Sequence, residues 1–206
     1  MRFISYVTLV TLAAAAGTAG AQTAFDGPTG QVPSGWTCGL TGSGAGKWQI
    51  EADAQAPSPP NVLTQRGRAD FPWCIHEGES VENGMVAVSF KALSGKEDQA
   101  GGVVWRWKDS NTYYVARGNA LESNVSLYYV SRGVRHTIKY QSAPVARNAW
   151  HRLEVRFKGE RIQVFLDGKS YIDLSDRNIS GAGKAGVWTK ADSITSFDDF
   201  QVKANN

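Results

Sequence analysis

The chain has 206 residues and a net charge of +3, with 22 Lys and Arg against 19 Asp and Glu interspersed along its length. So small an excess, with no basic run or stripe, excludes the electrostatic footprint of a nucleic-acid binder and of a protein held on an anionic membrane. Aromatic residues at 11% with 22 glycines suit a turn-rich β protein and leave aromatics to spare for stacking on ligands.

In chain order, the first element is a targeting segment. Arg2 supplies a positive start, Ile4 to Ala16 form an apolar run, and Ala19-Gly20-Ala21 is an A-x-A cleavage site. The run is shorter than the roughly 20 residues that span a bilayer, and no stop-transfer pattern follows. Residues 1–21 therefore read as a secretory signal. The expected mature chain, 22–206, is periplasmic or extracellular, without a membrane span, and of a size for one domain.

That location governs the two cysteines, Cys38 and Cys74. An even pair without neighbouring histidines in an oxidising compartment points to a disulfide rather than a metal site; two free buried thiols are the alternative. By the chain-entropy argument such a bridge is worth ~4 kcal/mol. It would tie down "GWTCGLTGSGAGKW", which reads as irregular.

Beyond it, helical periodicity is almost absent. "KWQIEA", "MVAVSFKAL", "GVVWRW", "TYYVAR", "NVSLYYV", "HTIKYQ", "WHRLEVRF", "RIQVFL", "SYIDL", "AGVWTK" and "SFDDFQV" are alternating or β-branched runs. Turn signals separate them about every ten residues, the spacing of a sandwich or jelly roll. In "WHRLEVRF", Leu153, Val155 and Phe157 share one face while Arg152, Glu154 and Arg156 share the other. Asp167-Gly168 then predicts a type I′ hairpin turn, and Lys158 to Arg161 turns the preceding pair.

The ordered set of an FDG opening, W-x-x-L-x-V-x-F-x-G at Trp150, an L-D-G hairpin, A-G-V-W-T and a terminal F-D-D resembles the concanavalin A-like lectin/glucanase jelly roll. Within it the chain is most similar to bacterial secreted domains grouped with 3-keto-disaccharide hydrolases, and it is also laminin G-like. The similarity runs from Phe25 to Val202. It implies an all-β fold of two antiparallel sheets, one concave, and carbohydrate as the commonest ligand class. The architecture also implies a possible structural calcium, for which Asp26 with Asp198 or Asp199 offer hard oxygen ligands. Neither calcium nor any other cofactor or metal ligand is assigned.

Catalytic patterns are scarce. Glucanases of this fold carry an E-x-D-x-x-E strand, and "EADAQA" has Ala56 where the second glutamate belongs. No nucleophile elbow, zinc helix or phosphate loop is present. His76, His136 and His151 lack metal-ligand spacing and read as lone surface histidines.

The polar content of the sheet strands carries the site. If "VVWRW" and "TYYVAR" form a hairpin turning at Lys108 to Asn111, Trp107 pairs with Thr112, Arg106 lies opposite Tyr113 and Val104 opposite Val115. Arg106, Tyr113 and Arg117 then share a ligand face, while Trp105, Trp107 and Tyr114 fill the core. A one-residue slip would exchange the two sets. Asn119, Glu122 and Asn124 follow, and Trp188 and Lys190 join from another strand. An arginine beside a tyrosine suits a polyhydroxylated or acidic sugar. Lys96 to Gln99 read as a polar turn.

Three functions remain open. One is a secreted sugar-processing enzyme of the keto-glycoside type with Glu122 as acid/base. The second is a noncatalytic carbohydrate-binding module on the same face. The third is a laminin G-like protein-interaction or envelope-structural domain.

Overall fold

The computed structural model describes residues 22–205, so the targeting segment lies outside the described residues. In chain order the strands are β1 (Gln22–Thr23), β2 (Trp36–Ala45), β3 (Trp48–Ala52), β4 (Asn61–Gln65), β5 (Arg68–Val81), β6 (Gly84–Ser94), β7 (Ala100–Asp109) and β8 (Thr112–Asn119). They continue as β9 (Asn124–Ser131), β10 (Val134–Ser142), β11 (Trp150–Lys158), β12 (Arg161–Leu166), β13 (Lys169–Ser175), β14 (Gly183–Trp188) and β15 (Ile194–Ala204). No helix among the described residues is long and apolar enough to cross a membrane.

The strands form two antiparallel sheets. One has the order β13-β12-β11-β6-β15-β4-β3, with β1 added beside β15; the other runs β10-β9-β8-β7-β14-β5-β2. This is an all-β jelly-roll sandwich, as the alternating runs imply. The period-2 reading of β11 holds: Leu153, Val155 and Phe157 are buried, and the hairpin after it turns on Asp167 and Gly168 at φ 51° and 78°. Both turn residues are left-handed, as a type I′ turn requires, and only the second is free of the Cβ penalty.

Between the sheets lies the main core. Val103, Trp105, Tyr114, Ala116, Leu127 and Val187 of the seven-stranded sheet meet Val86, Val88, Phe90, Leu153, Val155 and Phe157 of the eight-stranded one. Removing such side chains from water stabilises by ~1.5–3 kcal/mol each. Trp105 and Tyr114 stack across β7 and β8 with ring centroids 5.2 Å apart.

The segment expected to be irregular is in fact strand β2. It pairs with β5, Cys38 opposite Cys74, and those two residues form the disulfide, 36 apart in sequence. Its glycines hid the strand from a propensity reading, yet they are needed for packing: a Cβ on Gly39 would stand 2.5 Å from the Trp73 ring. The register also slips between Thr41 and Gly44, which breaks the alternation on which strand reading depends.

The outer face of the seven-stranded sheet carries a second apolar cluster of Trp73, Ile75, Val104, Tyr113, Val115, Tyr128, Val130 and Trp188, with Phe71 and Trp107 against it. No sheet covers this face, so its burial has another source. In a flat sheet β10 and β5, five strands apart in the order, would lie ~24 Å apart. Yet Arg135 of β10 holds its guanidinium 5.0 Å from the Phe71 ring of β5. Thr41 of β2 likewise reaches the Tyr113 hydroxyl of β8 at 2.8 Å. The sheet therefore curls strongly, and this face is its concave side.

Candidate functional site

The β7–β8 hairpin keeps the expected register in its lower half, with Val104 opposite Val115 and Trp105 opposite Tyr114. Its upper half does not. The ladder slips between Trp105 and Asp109, the pairing at the turn is Asp109 with Thr112 rather than Trp107 with Thr112, and Arg106 sits at φ 47°. One left-handed residue reverses the alternation above it. Arg106 thus leaves the ligand face assigned to it and closes the end of the sandwich. Its Nη1 donates to the Ile179 carbonyl (2.8 Å), its Nη2 to the carbonyls of Gly159 (2.6 Å) and Glu82 (3.2 Å), and its guanidinium lies over Phe157. Trp107, assigned to the core, moves to the concave face and meets Trp73 edge-on at 5.6 Å.

Tyr113 and Trp188 are on the concave face, yet both are fully buried. The Tyr113 hydroxyl is paired with Thr41, and Trp188 stacks on Phe71 at 5.8 Å. Desolvation pushes the Tyr113 phenol up from its ordinary value, despite the hydrogen bond with Thr41. These two rings form the floor of the curled sheet.

The polar residues converge at the other end of the face, around Asp98. Its carboxylate, fully buried, accepts from Arg117 Nη1 at 2.6 Å, Asn119 Nδ2 at 2.5 Å and Lys190 Nζ at 2.8 Å. Arg117 Nη2 continues to Glu122 at 2.8 Å, and Asn124 Nδ2 donates to the same Glu122 oxygen at 2.9 Å. Arg117, Asn119, Glu122, Asn124 and Lys190, all proposed from sequence, therefore do meet in one network. Asp98, which was read as part of a polar turn, is its centre.

Local structure explains how Asp98 gets there. The Asp192 carboxylate accepts the backbone N–H groups of Lys96, Glu97 and Asp98, folding that loop over the end of β7. Gly95 begins the loop at φ 152°, where a Cβ would stand 1.8 Å from the Asp98 carbonyl oxygen. Gly102 lies between Arg117 and Trp188 in the ladder, and a Cβ there would press on the Ala116 carbonyl at 2.3 Å.

Glu122 is the carboxylate of this network with open access, its side chain 43% exposed. Partial burial acts to raise its pKa, but the Asn124 hydrogen bond and the Arg117 charge outweigh that, and the carboxyl is held below its usual range. As placed, it is an ionised acceptor.

Several residues on this face escaped sequence reading. Arg135 of β10 lies 4.3 Å above the Tyr128 ring and 6.0 Å from that of Trp188, besides its approach to Phe71. Tyr140, half exposed, meets Tyr128 edge-on at 5.7 Å. Burial lifts the Tyr128 phenol to about 12. The alternation in "VRHTIKYQ" does put Arg135 and Tyr140 on a strand, but their face depends on a register slip between Thr137 and Lys139.

Elsewhere, His151 is not a surface histidine. It is buried, with Nδ1 2.7 Å from Asp167 Oδ2 and Nε2 accepting the Ala146 N–H, and so ties a loop to the following hairpin. At the terminal strands, Asp198 is buried and accepts the N–H groups of Ser58 and Asp199. Among the described residues, no group of three or more His, Cys, Asp or Glu is arranged to hold a metal ion.

No protein-family profile matches the chain. No curated protein matches it by sequence. Solved structures do match in fold. The carbohydrate-binding module CBM66 from Bacillus subtilis is 21% identical and superposes with a TM-score of 0.66 over 82% of this chain and 95% of that one. The mixed-linkage glucan GH16 protein of Bacteroides ovatus, in complex with G4G4G3G product, is 9% identical with a TM-score of 0.59, covering 89% and 99%. The Bacillus licheniformis β-glucanase is 12% identical with a TM-score of 0.56, covering 92% and 100%. At these identities the likeness establishes the concanavalin A-like jelly roll, and the function has to be argued from the site.

Proposed function

We propose that the chain is a secreted protein that binds a saccharide on the concave face of its seven-stranded sheet without turning it over. The observation that carries the reading is the network at one end of that face. Glu122, Asn124 and Lys190 offer fixed donors and acceptors at its rim, next to the exposed ring of Tyr140 and the guanidinium of Arg135, whereas Arg117 and Asn119, expected to touch the ligand, are buried with Asp98 and hold that rim in place. Sugars are recognised by such pairing of oriented polar groups for hydroxyls with aromatic surface for the apolar ring faces. The named carbohydrate-binding and glucanase neighbours of the same fold support this ligand class. Secretion rests on the N-terminal targeting pattern.

Binding is favoured over catalysis by the state of the carboxylates. Asp98 is saturated by three cationic or amide donors, and Glu122 is held ionised by Arg117 and Asn124. A general acid needs a carboxyl raised toward the working pH. The test is a glycan array with the mature protein, followed by product analysis on keto-disaccharides and polysaccharides. Retention of a glycan without turnover is expected. Turnover abolished by Glu122→Gln would replace this reading with the keto-glycoside enzyme, and no glycan bound at all would favour the protein-interaction class.

A further inference from the structure

The cations on the concave face are not equivalent. Arg117 is paired with Asp98 and Glu122, and Lys190 with Asp98. Arg135 makes no ion pair among the described residues, and its Nη1 is buried with no hydrogen-bond partner. It is nonetheless drawn inward, with its guanidinium against the rings of Tyr128, Phe71 and Trp188. A partly desolvated cation with an unused donor is costly unless a counter-ion meets it, and stacking on aromatic faces recovers only part of that cost.

Counting formal charges on this face gives Arg117, Lys190 and Arg135 against Asp98 and Glu122, which leaves one positive charge uncompensated. Its origin is specific, because the network at the Asp98 end is already neutral. Burial, together with the nearby Arg117, holds the Arg135 guanidinium below its ordinary value. The guanidinium fork matches an oxyanion in two parallel hydrogen bonds, while its flat face stays on the rings. Tyr140, edge-on to Tyr128 and half exposed, is placed to support the sugar ring that carries the anion.

We propose that the saccharide bound on the concave face is anionic, and that Arg135 is the residue that takes its carboxylate or sulfate. This rests on the reading of that face as a saccharide site. Neutral sugars would meet the exposed polar rim of Glu122, Asn124 and Lys190 but leave the Arg135 cation without a counter-ion, so the acidic form is selected by the penalty of an unanswered charge.

The experiment uses the mature protein and two matched pairs of probes in calorimetric titrations: oligogalacturonate against its methyl ester, and dextran sulfate against dextran. Wild type is expected to bind the acidic member of at least one pair ten-fold or more tightly than the neutral one, with the gap shrinking as salt rises. The pair that shows the gap identifies the carboxylate or the sulfate. Arg135→Gln is expected to abolish the gap, and Arg135→Lys to keep part of it because the charge remains without the fork. A thermal melt checks that both variants fold, and the Lys variant carries the test if the Gln variant does not. Equal binding of acidic and neutral members, or a gap that survives in Arg135→Gln, overturns the proposal and leaves the saccharide face standing. If none of the probes binds while an array glycan does, the anionic proposal alone fails. If nothing binds in either assay, the reading of the face fails with it.

Discussion

The two faces of the seven-stranded sheet bury similar side chains by different means. On the inner face Trp105 is covered by an entire second sheet, whose residues interlock with it. On the outer face Trp188 is just as buried, yet its cover is Phe71 and the guanidinium of Arg135, brought together because the sheet curls on itself. The difference teaches that burial on the concave side depends on individual side chains rather than on a second sheet, and that charge is part of its cover. The cover of the concave face is thus local, whereas the inner face is closed by a whole sheet.

The largest expected effect tests that contrast directly. Trp105→Ala should cost ~4 kcal/mol in urea unfolding, because a rigid core leaves a cavity. Trp188→Ala should cost ~2 kcal/mol less, since Arg135 and Phe71 can settle into the gap. Equal losses would show that the concave cover is as rigid as a second sheet.

Two buried aspartates sharpen the comparison. Asp98 is surrounded by cations and an amide, whereas Asp198 on β15 accepts the backbone N–H groups of Ser58 and Asp199 and lies near Asp199 and Asp26. Asp98→Asn should destabilise by ~3 kcal/mol in the same assay, as it leaves Lys190 without its partner and the buried Arg117 with Glu122 alone. Asp198 behaves in the opposite sense: burial first, then the neighbouring carboxylates, lift its carboxyl to about 6. The native state therefore holds that proton more tightly than the unfolded chain. Its stabilising contribution is complete below about pH 4 and is lost as pH rises through about 6, a change of roughly 2–3 kcal/mol. Subtracting the stability of Asp198→Asn from that of wild type across pH 4 to 7 should display this fall, and a flat difference would refute it.

Smaller again is the expected loss for Arg106→Met, about 2 kcal/mol by thermal or urea unfolding, because three carbonyls lose a charged donor while the apolar stem still packs. Saccharide binding should be unchanged in that variant. A loss of binding with stability intact would return Arg106 to the ligand face.

Much of the fold could be read from residues alone. The alternation in β11, the Asp167-Gly168 turn and the pairing of Val104 with Val115 follow from local rules that neighbours in sequence satisfy. Arg117, Asn119 and Asn124 of the site were legible because they follow a regular ladder along β8 and β9, and Glu122 because it lies in the short turn between those strands. Arg106 and Trp107 were misassigned because a single left-handed residue reverses every side chain beyond it, and nothing in "VWRWK" announces that turn of backbone. Strand β2 was missed for a related reason, since its glycines carry no hydrophobic period.

By itself, then, the sequence determined the all-β sandwich, most of its inner core and the cysteine pair, because alternation acts locally and an even cysteine count is a matter of composition. Only the tertiary structure decided that Asp98 is the hub, that Tyr113 and Trp188 lie beneath the surface, and that Arg135 reaches across the sheet to cover them. Each of these depends on the curl of a seven-stranded sheet, which joins residues of strands far apart in the chain and is set by no single segment.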